Sequence, residues 1–161
     1  FIFMRIISID PGLGATGFSI LELKKNKINL LAYGLIKSDT KDKLPKRLNY
    51  IFEEMNKILD KFMPDVLAIE DAFYSKNVKS AMILGQARGA IILSGAQANL
   101  PVYEFAPRKV KMSVCGNGAA TKQQVAFMVT KILQLNEEIK SYDITDSIAV
   151  GICFFNQKKF L

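Results

Sequence analysis

Two short apolar runs, Arg5–Asp10 (RIISID) and Asp65–Glu70 (DVLAIE), limit the folds open to this chain. Neither alternates apolar with polar residues, so each reads as a strand buried on both faces, and each ends in an acid. After the first run, Pro11-Gly12 and a glycine-rich turn lead to a second strand at Phe18–Leu23. The polar tetrad Lys24–Lys27 then turns the chain into a third at Ile28–Lys37, completing an antiparallel meander. From Leu44 the apolar positions Leu48, Ile51, Phe52, Met55, Ile58, Leu59 and Phe62 follow at helical spacing, with Pro45 in the first turn and Pro64 just past the end. A helix of that length is a sufficient crossover, so the two acid-tipped strands are expected to be parallel neighbours. Downstream, Ser75–Ala98 reads as a long helix stopped by Asn99 and Pro101, and Val102–Phe105 as a short strand. Val110–Val114, Thr121–Leu135 and Asp143–Phe155 read as helices. The expected class is α/β: a mixed five-stranded sheet, three antiparallel strands followed by parallel additions, with helices on both faces.

Composition narrows the chemistry. The chain of 161 residues has no histidine, which removes Ser-His-Asp and Cys-His triads, histidine general bases and every His-containing zinc site. Its length suits one domain, expected over residues 4–157, with 1–3 and 158–161 as terminal extensions. Cys115 and Cys153 form no C-x-x-C pattern and read as two small core residues in a reducing compartment. No run of 18 or more apolar residues occurs, and the opening FIFMRIISIDPG lacks a basic n-region and a cleavage site, so a cytoplasmic protein without a membrane partner is expected. Lys and Arg number 22 against 15 Asp and Glu, a net charge of +7 that points toward an anionic partner.

If the two buried strands are parallel, Asp10 and Glu70 lie at one edge of the sheet on strands about 4.8 Å apart. Like charges that close repel unless a cation lies between them or one takes a proton. Asp143 and Asp146, three residues apart on a helix, lie roughly 60° apart on one face near its N-terminus. Each acid has a plain alternative: Asp10 begins a turn, Glu70 meets solvent, and Asp143 and Asp146 are an N-cap and its N3 partner. Together they suit hard divalent ions, which want oxygen ligands. Two such ions about 4 Å apart can activate water on one side of a phosphodiester and stabilise the leaving oxygen on the other.

A rival motif is Gly12-Leu13-Gly14-Ala15-Thr16-Gly17, which matches G-x-G-x-x-G after a strand, with Asp39 beyond it as a dinucleotide fingerprint requires. The following FSILELKKNKINLLAYG is rich in strand formers and lacks the helical stripe whose N-terminus would take a pyrophosphate. The glycines are therefore expected to shape a hairpin, with a nucleotide-binding module as the alternative from another functional class.

The segments IDPGLGATGFSI, PDVLAIEDAFYSKNVKSAMILGQARGA, VYEFAPRKVKMSVCGNGAATKQQV and DITDSIAVGIC span nearly the whole chain in order. In them the sequence resembles the RuvC family of Holliday junction resolvases, within the RNase H-like nuclease fold. It departs at Phe18-Ser19, where an aromatic and then Gly is expected, and at Ser147, where Ala is commoner. The resemblance implies that Asp10, Glu70, Asp143 and Asp146 are the catalytic acids holding two Mg²⁺, with Mn²⁺ as a possible substitute. It implies paired nicks in symmetric strands of a four-way DNA junction, leaving 5′-phosphate and 3′-hydroxyl ends. It also implies a homodimer and a branch-migration complex of the RuvA and RuvB type as protein partner. Other RNase H-like nucleases act on RNA or flaps, which bottom-up reading leaves open.

The same segments supply the DNA-facing residues. Lys122 stands in the first turn of its helix, where the macrodipole disfavours a cation, and a phosphate held by the helix N–H groups, the Gly116-Asn117-Gly118 loop and the ammonium would relieve that cost. The alternative is a solvated lysine. The resemblance favours the phosphate role, makes Lys122 catalytic and adds Lys111 near the scissile bond. Arg108 with Lys111, and Lys76 with Lys79, border motif segments and read as backbone-phosphate contacts. Phe73 is expected to stack on an unpaired base, with Tyr74 as the fallback. Gly85, Gly89 and Gly95 each cost about 1 kcal/mol against Ala inside a helix. With Ala81, the first two would permit close approach either to the chain's own sheet or to a second subunit.

Overall fold

Ile6 points to one side of the first strand, β1 (Met4–Asp10), and Ile7 and Ile9 to the other, and all three are fully buried. Such a strand needs a layer above and below, which is why its sequence shows no alternation. The computed structural model of the chain describes residues 3–72 and 77–158. β2 (Thr16–Lys24) and β3 (Lys27–Ile36) form the antiparallel meander with β1. β4 (Val66–Glu70) runs parallel to β1, and β5 (Val102–Phe105) parallel to β4, giving one sheet in the order β3-β2-β1-β4-β5.

Helices α1 (Leu44–Phe62) and α2 (Val78–Gln97) cover one face, closing Ile51, Met55, Leu59, Ala87 and Ile91 over Ile7, Ile9, Ile20, Leu67 and Ile69. On the other face α3 (Pro107–Cys115), α4 (Lys122–Ile132) and α5 (Tyr142–Lys158) bury Val110, Val114, Val125, Val129 and Ile148 against Ile6, Leu21, Val66 and Ala68. Full burial of one such side chain stabilises by roughly 1.5–3 kcal/mol, so each face alone can hold its helices. α5 lies tightly on the sheet because Gly151 has no side chain there. A Cβ at that position would come within 2.3 Å of Leu21 Cδ1 and 2.7 Å of Ser8 Oγ. The Ser8 and Ser19 hydroxyls under the helix satisfy each other at 2.7 Å.

The α/β mixed sheet and its two helical layers match the sequence expectation. Segment 12–17 leads into β2 rather than into a helix, so no helix N-terminus stands ready for a pyrophosphate and the dinucleotide alternative loses its structural basis. The long helix starts at Val78, capped by the Asn77 side chain accepting from the Lys79 N–H, and the start expected at Ser75 lies outside the described residues. Cys153 is buried as expected. Cys115 is not: it ends the short α3 at a half-exposed position, so only one of the two cysteines is a core residue.

Candidate active site

The parallel register sets the first two acids side by side. Ile9 pairs with Ile69, so the residues that follow, Asp10 and Glu70, end neighbouring strands at one edge. Asp10 is also paired across the antiparallel ladder with Gly17. That glycine admits α5: a Cβ on Gly17 would lie 1.9 Å from the Asp143 carbonyl oxygen. The start of α5 therefore rests on the sheet edge beside Asp10. The helix begins at Tyr142, with the Thr145 N–H donating to the Ser141 carbonyl, so Asp143 falls inside the first turn and Asp146 about one turn on. The alternative of an N-cap at Asp143 with Asp146 as its N3 partner does not fit this start.

Asp10, Glu70 and Asp146 line one cavity of about 180 Å³, joined by Lys111 and Lys122 and walled by Val110, Val125 and Ala149. Burial, together with the charges of Glu70, Asp146 and Asp143, pushes the Asp10 carboxyl up to about 8. Burial and Asp146 push Glu70 up as well, partly offset by Lys122 and by hydrogen bonding with Asp10, so both strand-end acids hold a proton more readily than free carboxyls do. Asp146 is raised by burial against the pull of Lys122, whose ammonium stands 3.2 Å from Asp146 Oδ2. Burial works against the Lys122 charge, but Asp146, Asp10 and Asp143 outweigh it and its pKa rises.

The donor set suits a hard divalent cation: every group is a carboxylate oxygen, and the acids hold a proton that a cation would displace. Among the described residues no three Asp, Glu or Cys side chains stand around one point as ligands already do in a loaded centre. The fit therefore rests on donor type and on negative charge that Lys122 and Lys111 only partly balance. A larger cavity of about 560 Å³ lies against Cys115, Phe127, Met128 and Glu138, and it holds no cluster of acids.

The other expected residues scatter around this centre. Lys111 lines the cavity, whereas Arg108 is exposed on α3 with its stem against Gly118. Lys79 is exposed in the first turn of α2. Phe73, Lys76 and the fallback Tyr74 lie outside the described residues. Two of the N–H groups expected to form an anion cradle around Lys122 are already engaged. Gly116, at φ 68°, ends α3 in the left-handed region, and the Asn117 side chain accepts from the Ala119 N–H. The Gln124 N–H donates to Thr121 within a capping box, so the Ala119 and Gln124 N–H groups serve the turn. The dipole cost at Lys122 is met by Asp146. Along α2, Gly95 touches the sheet, where a Cβ would stand 2.9 Å from Leu67 Cδ1. Gly85 and Gly89 are exposed and a Cβ on either would meet nothing within 4 Å, with Ala81 half-buried beside them. Two features escaped sequence reasoning: the Gly17 seat for α5 and the Lys122–Asp146 pair. Neither has a sequence-level signal beyond the glycine itself.

A sheet in this order, with acids ending β1 and β4 and two more at the start of a helix laid across it, is that of a nuclease of the RNase H-like class. The family described as Crossover junction endodeoxyribonuclease RuvC matches residues 6–154, and the chain belongs to that family. The chain is 46% identical over 157 residues to the Crossover junction endodeoxyribonuclease RuvC of Finegoldia magna, covering 98% of this chain and 96% of the relative. Its identity to the protein of the same description from Halothermothrix orenii is 43% over 153 residues, covering 95% and 93%. The structure of Thermus thermophilus RuvC in complex with Holliday junction substrate superposes with a TM-score of 0.91 at 28% identity, covering 98% of this chain and 96% of that one.

Proposed function

We propose that this chain, as a single nuclease domain over residues 4–157, resolves four-way (Holliday) DNA junctions by paired hydrolytic nicks in recombination and repair. The observation that carries the reading is the convergence of Asp10, Glu70 and Asp146 with Lys111 and Lys122 on one cavity, Asp143 seated beside it, in a chain of this family. The family is divalent-metal dependent. Asp10, Glu70, Asp143 and Asp146 would hold two Mg²⁺, or Mn²⁺ in their place. Bound, these ions supply Lewis-acid activation of water and of the leaving oxygen.

The protein's own groups do the rest. Asp10 gives up its proton when the site is loaded, and Glu70 is then held as a full carboxylate. Lys122 and Lys111 offset charge on the scissile phosphate, in surroundings made partly apolar by Val110, Val125 and Ala149. Phe73, Lys76, Lys79 and Arg108 would contact the junction arms, Phe73 by stacking and the cations by phosphate contacts. A junction offers two like strands, so two copies are needed. The open Gly85 and Gly89 with Ala81 support α2 as the face of a C₂ homodimer. A branch-migration complex of the RuvA and RuvB type and a cytoplasmic setting complete the reading. No helix among the described residues is long and apolar enough to cross a membrane.

The test is Mg²⁺-dependent cleavage of a four-way junction, a linear duplex and an RNA–DNA hybrid, with the product ends mapped. Selective, symmetric cutting of the junction with 5′-phosphate ends is expected. Equal cutting of the hybrid or of flaps would move the protein to another branch of the fold class.

A further inference from the structure

Behind the strand-end acid Glu70 is a clasp that the reading above does not use. Asp71, the next residue, donates its backbone N–H to the Phe105 carbonyl at 2.8 Å, extending the β4–β5 ladder by one step. Its side chain faces α2: Asp71 Oδ1 lies 2.9 Å from the Arg88 guanidinium. Arg88 is only 11% exposed, and the same guanidinium nitrogen also pairs with Glu104, the β5 residue adjacent to Phe105. One side chain of α2 therefore grips both strands at the end where the catalytic edge lies. Arg88 precedes Gly89 directly and lies one helical turn from Gly85, the two open glycines on the outer side of α2.

A cation this enclosed is retained at a desolvation cost of several kcal/mol, which its two carboxylate partners must offset. Surface attraction does not require such a residue, whereas fixing a strand end does. Asp71 shares a peptide unit with Glu70, so holding Asp71 by its backbone N–H and by its carboxylate holds the backbone from which the Glu70 side chain departs. We propose that Arg88 is a positioning residue that orients Glu70 through Asp71 for cation binding, and so links the outer face of α2 to the active site. The proposal rests on the reading of the four acids as a divalent-cation site.

Charge and position make opposite forecasts, which makes the link testable. By charge alone, Arg88→Gln leaves the neighbourhood more negative and should tighten cation binding, while Asp71→Asn should weaken it. If Arg88 positions Glu70 through Asp71, both variants weaken binding, by about 10- to 100-fold as for other residues that orient a metal ligand. The double variant then weakens it no more than either single one. Mn²⁺ affinity is measured by calorimetry on the full chain, with metal-free melting temperature and the half-saturating Mn²⁺ for junction cleavage alongside. Arg88→Lys should recover part of the affinity, as one ammonium can still reach one carboxylate.

Unchanged or tighter Mn²⁺ binding by Arg88→Gln, or additive losses in the double variant, would overturn the proposal. If Arg88→Gln does not fold, Arg88→Lys decides, because it keeps the charge and loses the two-carboxylate grip: a loss of affinity supports the link, and affinity within about twofold of wild type overturns it. Absence of Mn²⁺ binding by the wild type, or equal binding by Asp10→Asn, would overturn the four-acid reading itself and this proposal with it.

Discussion

Adding one methyl group at Gly17 tests how the site is assembled. The Cβ of Gly17→Ala would stand 1.9 Å from the Asp143 carbonyl oxygen and 2.5 Å from its carbonyl carbon, both backbone atoms that no rotamer change can move. Ordinary non-bonded separations are roughly 3.5 Å, so the start of α5 must retreat by more than about 1 Å. Overpacking of this kind costs typically 1–3 kcal/mol, which in a chain of this size lowers the melting temperature by about 2–10 °C. The rest of α5 is held by Ile148, Ile152 and Phe155 and should stay in place. The displacement therefore falls on Asp143 and, through the same turn, on Asp146. A misplacement of about 1 Å at reacting groups costs on the order of 100-fold in rate. Junction cleavage at saturating Mg²⁺ should accordingly fall by about 100-fold while junction binding, measured by gel shift in Ca²⁺, stays within about threefold. Near-wild-type cleavage by a folded Gly17→Ala protein would refute the claim that this contact seats the acids of α5.

Asp10 holds its proton up to about pH 8 in the fold but only to its ordinary value near 3.8 when unfolded. Between those values the folded state binds more protons, and metal-free stability should fall as pH rises through the window. Melting in a chelator at several pH values should show this slope, flattened by Asp10→Asn, whereas Mn²⁺ affinity should rise over the same range as the proton becomes easier to displace. Lys122→Met removes the cation 3.2 Å from Asp146 and should lower cleavage by about 10²–10³-fold, with junction affinity little changed in a binding assay. Gly89→Leu adds a side chain where a Cβ meets nothing within 4 Å, so helix content by circular dichroism should be kept; loss of the dimer in analytical ultracentrifugation is expected, and an intact dimer would move the interface off this face.

The strand-end acids were legible because burial on both faces leaves a mark in sequence. Between their flanking charges RIISID and DVLAIE are apolar but for Ser8, and α1 is long enough for the crossover that parallel pairing needs, which brings Asp10 next to Glu70. The glycine segment was legible as a hairpin because strand formers follow it. Other features depend on contacts between distant segments. The Asp143 carbonyl on Gly17 is an approach of backbone to backbone and carries no periodicity. Three glycines look alike along α2, yet only Gly95 meets the sheet, and the difference lies in which face of the helix the core happens to take. Cys115 was misread because the nine-residue α3 ends there, too soon for a face pattern to distinguish a half-exposed last turn. The capping box of Thr121 and Gln124, which engages one of the donors expected around Lys122, likewise depends on side-chain geometry within the turn.

The central claim is that Asp10, at the end of the buried first strand, belongs to the hydrolytic centre of a junction resolvase. Its most direct test is Mg²⁺-dependent cutting of a four-way junction by Asp10→Asn against wild type, on protein shown to be folded and to bind the junction. The substitution keeps the shape of the side chain and removes its charge. The account predicts wild-type binding with no detectable nicking, whereas nicking at the wild-type rate would contradict it.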